Sequence, residues 1–538
     1  MTTSTTTGRD PKWWTLTAVC TGVFMLLLDI TIVNVALPDI QEQLDASLSD
    51  LQWVIDAYAL SLAALLLTAG SLADLFGRRR VFVIGLLLFT IGSVACGAAQ
   101  DIFFLQVSRA FQGIGGAAMF ATALALLAAA FHGKDRGTAF GVFGATTGVA
   151  VAIGPVLGGA LTSGLSWRWI FFVNVPICLV ALAVSLTKVV ESKDRHAGRP
   201  DWIGFVTFSV ALGSLVYGLI EAGKDGWGET RVLASFVASA ALLVAFVISQ
   251  LLQEHPMFDL GLLRKPTFTG GLVAAFGLSA SMFSLLTYLV IYVQNVLGYS
   301  AVATGVRFLY LSVASFFAAA IAGRLSERVP VKWLIGPGFL VLGTGLLLIN
   351  GIQTDSSWTH LIAGMIVSGV GIGMINPPLA STAVGVVPVA RAGMASGVNS
   401  TFRQVGIATG IAALGSIFSQ QIGDAVRPEL ASRVPPQALD GLTAALSGGQ
   451  VQPAARAAQA AAARNGGPAA GQQAFDLIQR VGTSAVVDAL NHITLIAAVL
   501  AFASGLLSLL LIRQRDFVVR GGPETAGEAE DPTRAPAA

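Results

Sequence analysis

Long apolar runs separated by short polar breaks dominate this chain. Fourteen of them reach the length of about 20 residues that a helix needs to cross a bilayer, centred near residues 26, 62, 90, 115, 150, 179, 212, 241, 282, 314, 342, 371, 406 and 500. The pattern predicts an all-α polytopic membrane protein. Three regions interrupt it. Residues 191–201 form a charged loop after span 6, and residues 253–268, with Pro256, Asp259, Arg264 and Lys265, form another after span 8. The two spans between them read as an inserted pair. Residues 419–487 are rich in Ala, Gln, Pro and Gly; a short helix is expected over Ala454–Arg464, inside an otherwise flexible external cover.

Gly323-Arg-Leu-Ser-Glu-Arg-Val-Pro-Val-Lys332 follows span 10 as Gly70-Ser-Leu-Ala-Asp-Leu-Phe-Gly-Arg-Arg-Arg80 follows span 2. In each, an acid comes four residues after a glycine and basic residues follow. The repeat divides the spans as 6+2+6, an arrangement of paired half-bundles with a transport site at their interface. The predicted parts are an N-terminal tail over 1–14, a six-helix bundle over 15–190, the inserted pair with its loops over 191–268, a second bundle over 269–512 that includes 419–487, and a polar, disordered tail over 513–538.

Composition agrees with the pattern. Hydrophobic residues make up 54% of the 538, charged residues 12%, and the mean hydropathy is +0.74. A soluble domain carries roughly twice that share of charge. A net charge of +2 suggests no nucleic-acid partner. Cys20, Cys96 and Cys178 lie inside spans without metal-ligand spacing and read as small apolar side chains. The first span outlasts a signal peptide and lacks an obvious cleavage site, so it is expected to stay. With the N-terminus inside, the inner loops and tails hold 21 of the 32 basic residues and the short outer loops hold three. Positive charge stays on the cytoplasmic side, so both termini are expected there.

A few charges remain within spans. Asp29 lies in the outer half of span 1 and Asp56 near the outer end of span 2. A carboxylate at the centre of a span costs about 2.5–3.5 kcal/mol on insertion scales and is usually functional. Either could exchange protons; Asp29 could instead be a structural ion pair, and Asp56 could simply face the outer surface. Arg109 keeps its charge and needs a partner. It is expected to face Asp29, either as a switchable pair that governs proton exchange or as a permanent link between spans 1 and 4. Arg403, beside Gln404 in span 13, is another buried cation and a candidate gate or cavity contact, while Glu221 and His492 read as solvated. Gly70, Asp74, Gly77, Arg78 and Arg79 read either as a plain charge cluster between spans or as a gate, with Asp74 meeting the positive N-terminal end of a helix from the other half. There is no phosphate-binding Gly-x-x-x-x-Gly-Lys-Ser/Thr sequence, nor a His-x-x-x-His, Gly-x-Ser-x-Gly or Cys-x-x-Cys pattern, so no enzyme signature emerges.

Five stretches carry a family resemblance. Residues 70–80 resemble the signature between helices 2 and 3 of the major facilitator superfamily, and Leu105-Gln-Val-Ser-Arg109-Ala-Phe-Gln112-Gly113-Ile-Gly115-Gly116-Ala-Ala118 resembles its helix 4 motif. Gly148-Val-Ala-Val-Ala-Ile-Gly154-Pro155-Val-Leu-Gly158-Gly159 is similar to the helix 5 motif of its antiporters. Leu28-Asp29-Ile-Thr-Ile-Val-Asn34-Val-Ala-Leu37-Pro38 and Trp167-Arg-Trp-Ile-Phe-Phe-Val-Asn174-Val-Pro176 are similar to its 14-helix drug:proton antiporters. The resemblance covers residues 15–420 and the last span. It implies the major facilitator fold and an exporter of hydrophobic or amphipathic drugs or antibiotics in the plasma membrane, an aromatic polyketide among them. Such a protein is monomeric, uses protons and no cofactor, and binds its substrate in a cavity for which Phe143, Phe283, Tyr288 and Arg403 are candidates. Gly148, Gly154, Pro155, Gly158 and Gly159 would mark the antiporter direction, or serve packing alone. The alternatives are a proton-coupled importer of the same fold and, more distantly, a membrane sensor or enzyme.

Overall fold

The computed structural model describes residues 11–46, 48–131, 135–193, 200–254 and 256–518. Among these there is no strand. The N-terminal six helices are α1 (Pro11–Leu44), α2 (Leu48–Phe76), α3 (Arg78–Gly97), α4 (Ile102–Ala130), α5 (Asp135–Gly164) and α6 (Trp169–Lys188). A hairpin of α7 (Trp202–Asp225) and α8 (Thr230–Leu252) follows. The remaining six are α9 (Pro266–Val296), α10 (Ala301–Leu325), α11 (Lys332–Ile349), α12 (Leu361–Gly385), α13 (Ala392–Ala431) and α14 (Val451–Leu511). Thirteen contain a window long and apolar enough to cross a membrane, and α5, at 30 residues, is the fourteenth. The chain is therefore a multi-pass membrane protein.

Each set of six packs around its own core. In the first, α4 lies against α2 and α3, and α1 against α5 and α6; in the second, α12 lies against α10 and α11, and α14 against α9, α11 and α13. The halves meet where α2 crosses α13 and α5 crosses α10, so each seam joins the second helix of one half to the fifth of the other. The hairpin sits outside this arrangement. Its α7 covers α2 and α13, whereas α8 buries only 17% of its apolar window and presents the rest outward, as a lipid-facing helix does.

Both ends of the described chain lie on one face. Lys12 at the start of α1 pairs with Asp135 at the start of α5 at 2.8 Å, and the N–H of Val518 donates to the carbonyl of Gly385 at 3.1 Å. On this terminal face the halves touch. A methyl at position 141 of α5 would lie 3.2 Å from the Cα of Gly323 in α10, while two turns further along, at Gly148, the nearest α10 atom is 3.8 Å away. The seam is thus tighter towards the terminal face.

Three expectations change. Residues 419–487 are ordered helix, not a loose cover: α13 runs on to Ala431, a helix spans Pro436–Ser447, and α14 begins at Val451 and kinks at Gly467. The reason is amphipathic spacing. Ile422, Val426 and Leu430 fall at intervals of four and, with Leu446, Val451, Ile478 and Val481, extend the core of the second half. The C-terminal tail is anchored where it begins, with Arg513 N–H donating to Thr267 Oγ1 at 2.7 Å; residues 519–538, like 1–10, lie outside the described residues. Glu221 is buried and lies 3.6 Å from Arg231 across the α7–α8 hairpin, where it was expected in solvent.

Candidate functional site

The deepest polar cluster lies inside the N-terminal half. Asp29 is fully buried near the middle of α1. Arg109 of α4 donates to its Oδ2 at 2.6 Å, and Gln112, one turn further on α4, donates to Oδ1 at 3.0 Å. Asn174 of α6 donates to the same Oδ1 at 2.9 Å. Ser93 of α3 accepts from Gln112 and Asn174 at 3.2 and 2.8 Å and passes its own proton to the carbonyl of Phe171 at 3.0 Å. The guanidinium of Arg109 also donates to the carbonyl of Val54 at 3.1 Å and lies 4.2 Å from the centre of the Tyr58 ring. Five helices thus converge on one carboxylate, and its charge is met by a cation and two amides.

Such a cluster can hold or exchange a charge only as a unit. Removing one member of a buried pair costs about 3–5 kcal/mol because the other is left without compensation. Asp56 is half-buried on α2, two residues beyond Val54; at about 100° per residue this turns it well away from the side that Val54 presents to Arg109.

A second cluster closes the terminal face. Asp74 of α2 accepts from the backbone N–H groups of Gly393 and Met394, at 2.9 and 2.8 Å, in the first turn of α13. Arg78 holds the same carboxylate with two hydrogen bonds of 2.9 and 2.7 Å and donates to the carbonyls of Val389 and Ala390 of the other half. Gly70 faces Gly393 so closely that a methyl on Gly70 would come within 3.0 Å of the Gly393 carbonyl carbon. Gly77 has a φ of 113°, a conformation that favours glycine. It turns the chain into α3, whose second and third N–H groups, on Arg79 and Arg80, are met by the carboxylate of Glu191 at 3.0 and 3.2 Å. Arg79 itself donates to the carbonyls of Ser185 and Leu186 of α6. Asp74 and Arg78 therefore reach the second half, whereas Arg79 braces the first.

Helix α5 divides its glycines between two neighbours. Gly154 packs on Thr31 of α1 within the same half, and Gly158 and Gly159 are buried. The approach to α10 is made by Gly137 and Gly141, nearer the terminal face, and Gly148 stands off from it. The side chain of Pro155, like those of Asn34 and Pro38, lies outside the described residues.

Between the halves is a cavity lined by Phe120 of α4, Phe143 of α5, Asn376 of α12, and Asn399, Ser400 and Arg403 of α13. Phe143 and Arg403 are brought together here. Phe283 and Tyr288 do not line this cavity. Tyr288 turns into the second half, where its hydroxyl donates to the carbonyl of Ile411 at 2.7 Å and its ring packs 5.2 Å from that of Phe418. Phe283 packs against the same core. The aromatic residues were legible, but which side of α9 they occupy was not.

Three residues of the Asp29 cluster carried signals that pattern reading passed over. Gln112 and Asn174 lie within conspicuous motifs, and Ser93 is a polar residue in the middle of a span. Any hydrogen-bonding side chain at such a depth needs a partner inside the protein. Matching these side chains to the Asp29 cluster requires knowing how five helices are rotated.

The sequence profile of the Major Facilitator Superfamily matches residues 19–411. The chain is 37% identical over 422 residues to the "Multidrug resistance protein Stp" of Mycobacterium tuberculosis, covering 78% of each chain. It is 32% identical over 451 residues to the "Tetracenomycin C resistance and export protein" of Streptomyces glaucescens, covering 83% of this chain and 84% of that one. Among solved structures, that of the human organic anion transporter MFSD10 (TETRAN) superposes with a TM-score of 0.57 at 14% identity, covering 87% of this chain and 99% of the other, a likeness of fold alone.

Proposed function

The chain belongs to the major facilitator superfamily and is a transporter rather than an enzyme, and from that premise we propose that it exports hydrophobic or amphipathic drugs in exchange for protons. The names of its relatives support the drug class. The observation that carries proton coupling is the buried Asp29–Arg109 pair. The carboxylate sits on α1 and its cation on α4, the helix that also supplies Phe120 to the cavity. Residues 109 and 120 are eleven positions apart, or about 17 Å along the helix. A shift of α4 on drug binding would strain the ion pair, and protonation of Asp29 would release α4 in turn.

In this reading Asp74 and Arg78 are the latch that holds the terminal face shut, and that face is cytoplasmic. The transporter works as a monomer in the plasma membrane and uses no cofactor, because the gradient is sufficient. One charge crossing about 100 mV releases roughly 2.3 kcal/mol, and one pH unit adds roughly 1.4 kcal/mol. A hundredfold concentration of a neutral drug costs about 2.7 kcal/mol.

Everted membrane vesicles provide the test. An imposed inward proton gradient should drive drug accumulation by the wild type, and Asp29→Asn should abolish it while the protein remains inserted. Proton-driven uptake that survives this substitution would remove Asp29 from coupling, and accumulation in the opposite direction would make the protein an importer.

A further inference from the structure

The buried arginines of this protein are not equivalent. Arg78 lies 2.7 Å from Asp74, and Arg109 lies 2.6 Å from Asp29. Arg403, half-buried on α13 between the halves, takes part in none of the ion pairs of the described residues. Its one hydrogen bond is to Oδ1 of Asn376, a neutral amide, and its Nε is buried without an acceptor. A guanidinium withdrawn from water is costly unless an anion offsets it, and an amide offsets none of the charge. Among the described residues, no carboxylate therefore compensates Arg403 at the place where a ligand would enter.

The surroundings narrow what that ligand is. Phe120 and Phe143 line the same cavity, which is constricted in this state, and would flank a flat aromatic body once the halves part. Asn376, Asn399 and Ser400 add neutral polar groups, and among the described residues no carboxylate lines the cavity. A cationic drug would meet Arg403 with nothing to balance the repulsion. An oxyanion on an aromatic frame would satisfy the free Nε–H and neutralise the charge, in the planar geometry that a guanidinium recognises best.

We propose that this cavity is selective for aromatic organic anions, with Arg403 as the residue that binds the anionic oxygen. The inference rests on the reading of the protein as a drug exporter with its substrate site between the halves. It adds the charge class of the substrate.

Fluorescein and rhodamine 123 share a planar xanthene frame and carry opposite charge. Equilibrium binding of each, followed by fluorescence anisotropy, would be measured on the full chain in lipid nanodiscs for wild type, Arg403→Gln and Arg403→Lys. The wild type is expected to bind fluorescein roughly tenfold or more tightly than rhodamine 123, a difference of about 1.4 kcal/mol. Arg403→Gln should lose about that factor for fluorescein without weakening rhodamine 123, and Arg403→Lys should recover part of it. The wild-type preference is read without any variant, so misfolding of Arg403→Gln would leave the proposal testable. Equal affinity, a preference for rhodamine 123, absence of fluorescein binding, or unchanged fluorescein binding in a folded Arg403→Gln protein would each overturn it. Proton-driven uptake into everted vesicles reports separately on the exporter reading. Uptake without anion preference would remove only the present inference, whereas anion-selective binding without proton-driven uptake would remove only the coupling.

Discussion

The carboxylate of Asp74 accepts the backbone N–H of Gly393 at 2.9 Å, across 319 residues of chain. A side chain at the end of the second helix thereby caps the first turn of the thirteenth, and Arg78 ties both to the carbonyls of Val389 and Ala390. The contact joins the two halves on the face that holds the chain ends.

Replacing Asp74 by Ala removes the cap, worth about 1 kcal/mol, and leaves Arg78 buried without its anion, at about 3–5 kcal/mol. The expected outcome is a protein that favours the state open on the terminal face. Turnover in vesicles should fall roughly tenfold or more, a barrier change of at least about 1.4 kcal/mol, while equilibrium drug affinity changes little. Loss of affinity with normal turnover would contradict the latch.

The Asp29–Arg109 pair makes a prediction about stability as well as transport. Arg109→Gln alone should destabilise the protein by about 3–5 kcal/mol, because Asp29 is left as an uncompensated buried charge. Adding Asp29→Asn should restore much of that loss while transport stays absent. Thermal unfolding of both variants in detergent checks this; a double variant less stable than Arg109→Gln would count against the pairing.

Asn174 and Gln112 should matter to transport although neither titrates. Asn174→Ala takes a 2.9 Å donor from Asp29 and another hydrogen bond from Ser93. A net loss of about 1–3 kcal/mol in stability is expected, together with reduced proton-driven uptake. Unchanged uptake would make the amide a packing residue only.

The helical segment that closes the far end of the second half should behave as part of its core. Ile478→Ala and Val481→Ala should each destabilise the chain by about 2–4 kcal/mol, the usual cost of emptying a buried aliphatic site. Trypsin should cleave slowly at Arg456 and Arg464, which lie within α14. Rapid cleavage there in the folded protein would restore the expectation of a loose cover.

Much of the membrane architecture was legible because its cause is local. A span is about 20 apolar residues, set by bilayer thickness, and its presence does not depend on what it packs against. The contact between the halves was legible in outline, since Asp74 lies where α2 ends and Arg78 begins α3. Residues 419–487 misled because Ala- and Gln-rich stretches read alike whether a helix is exposed or stacked on a core. What decided between these is the run of Ile422, Val426 and Leu430 against Ile478 and Val481.

By itself the sequence determined the number of spans, the repeat that makes two halves, and the presence of charges at depth. These follow from composition over short windows and from the cost of placing charge in an apolar medium. The tertiary structure alone decided which charges meet. Asp29 and Arg109 are 80 residues apart, Asp74 reaches another half, and Arg403 faces a neutral amide instead of an acid. Such pairing depends on the rotation and register of helices remote in the chain, and a rotation of one residue, about 100°, would exchange every partner.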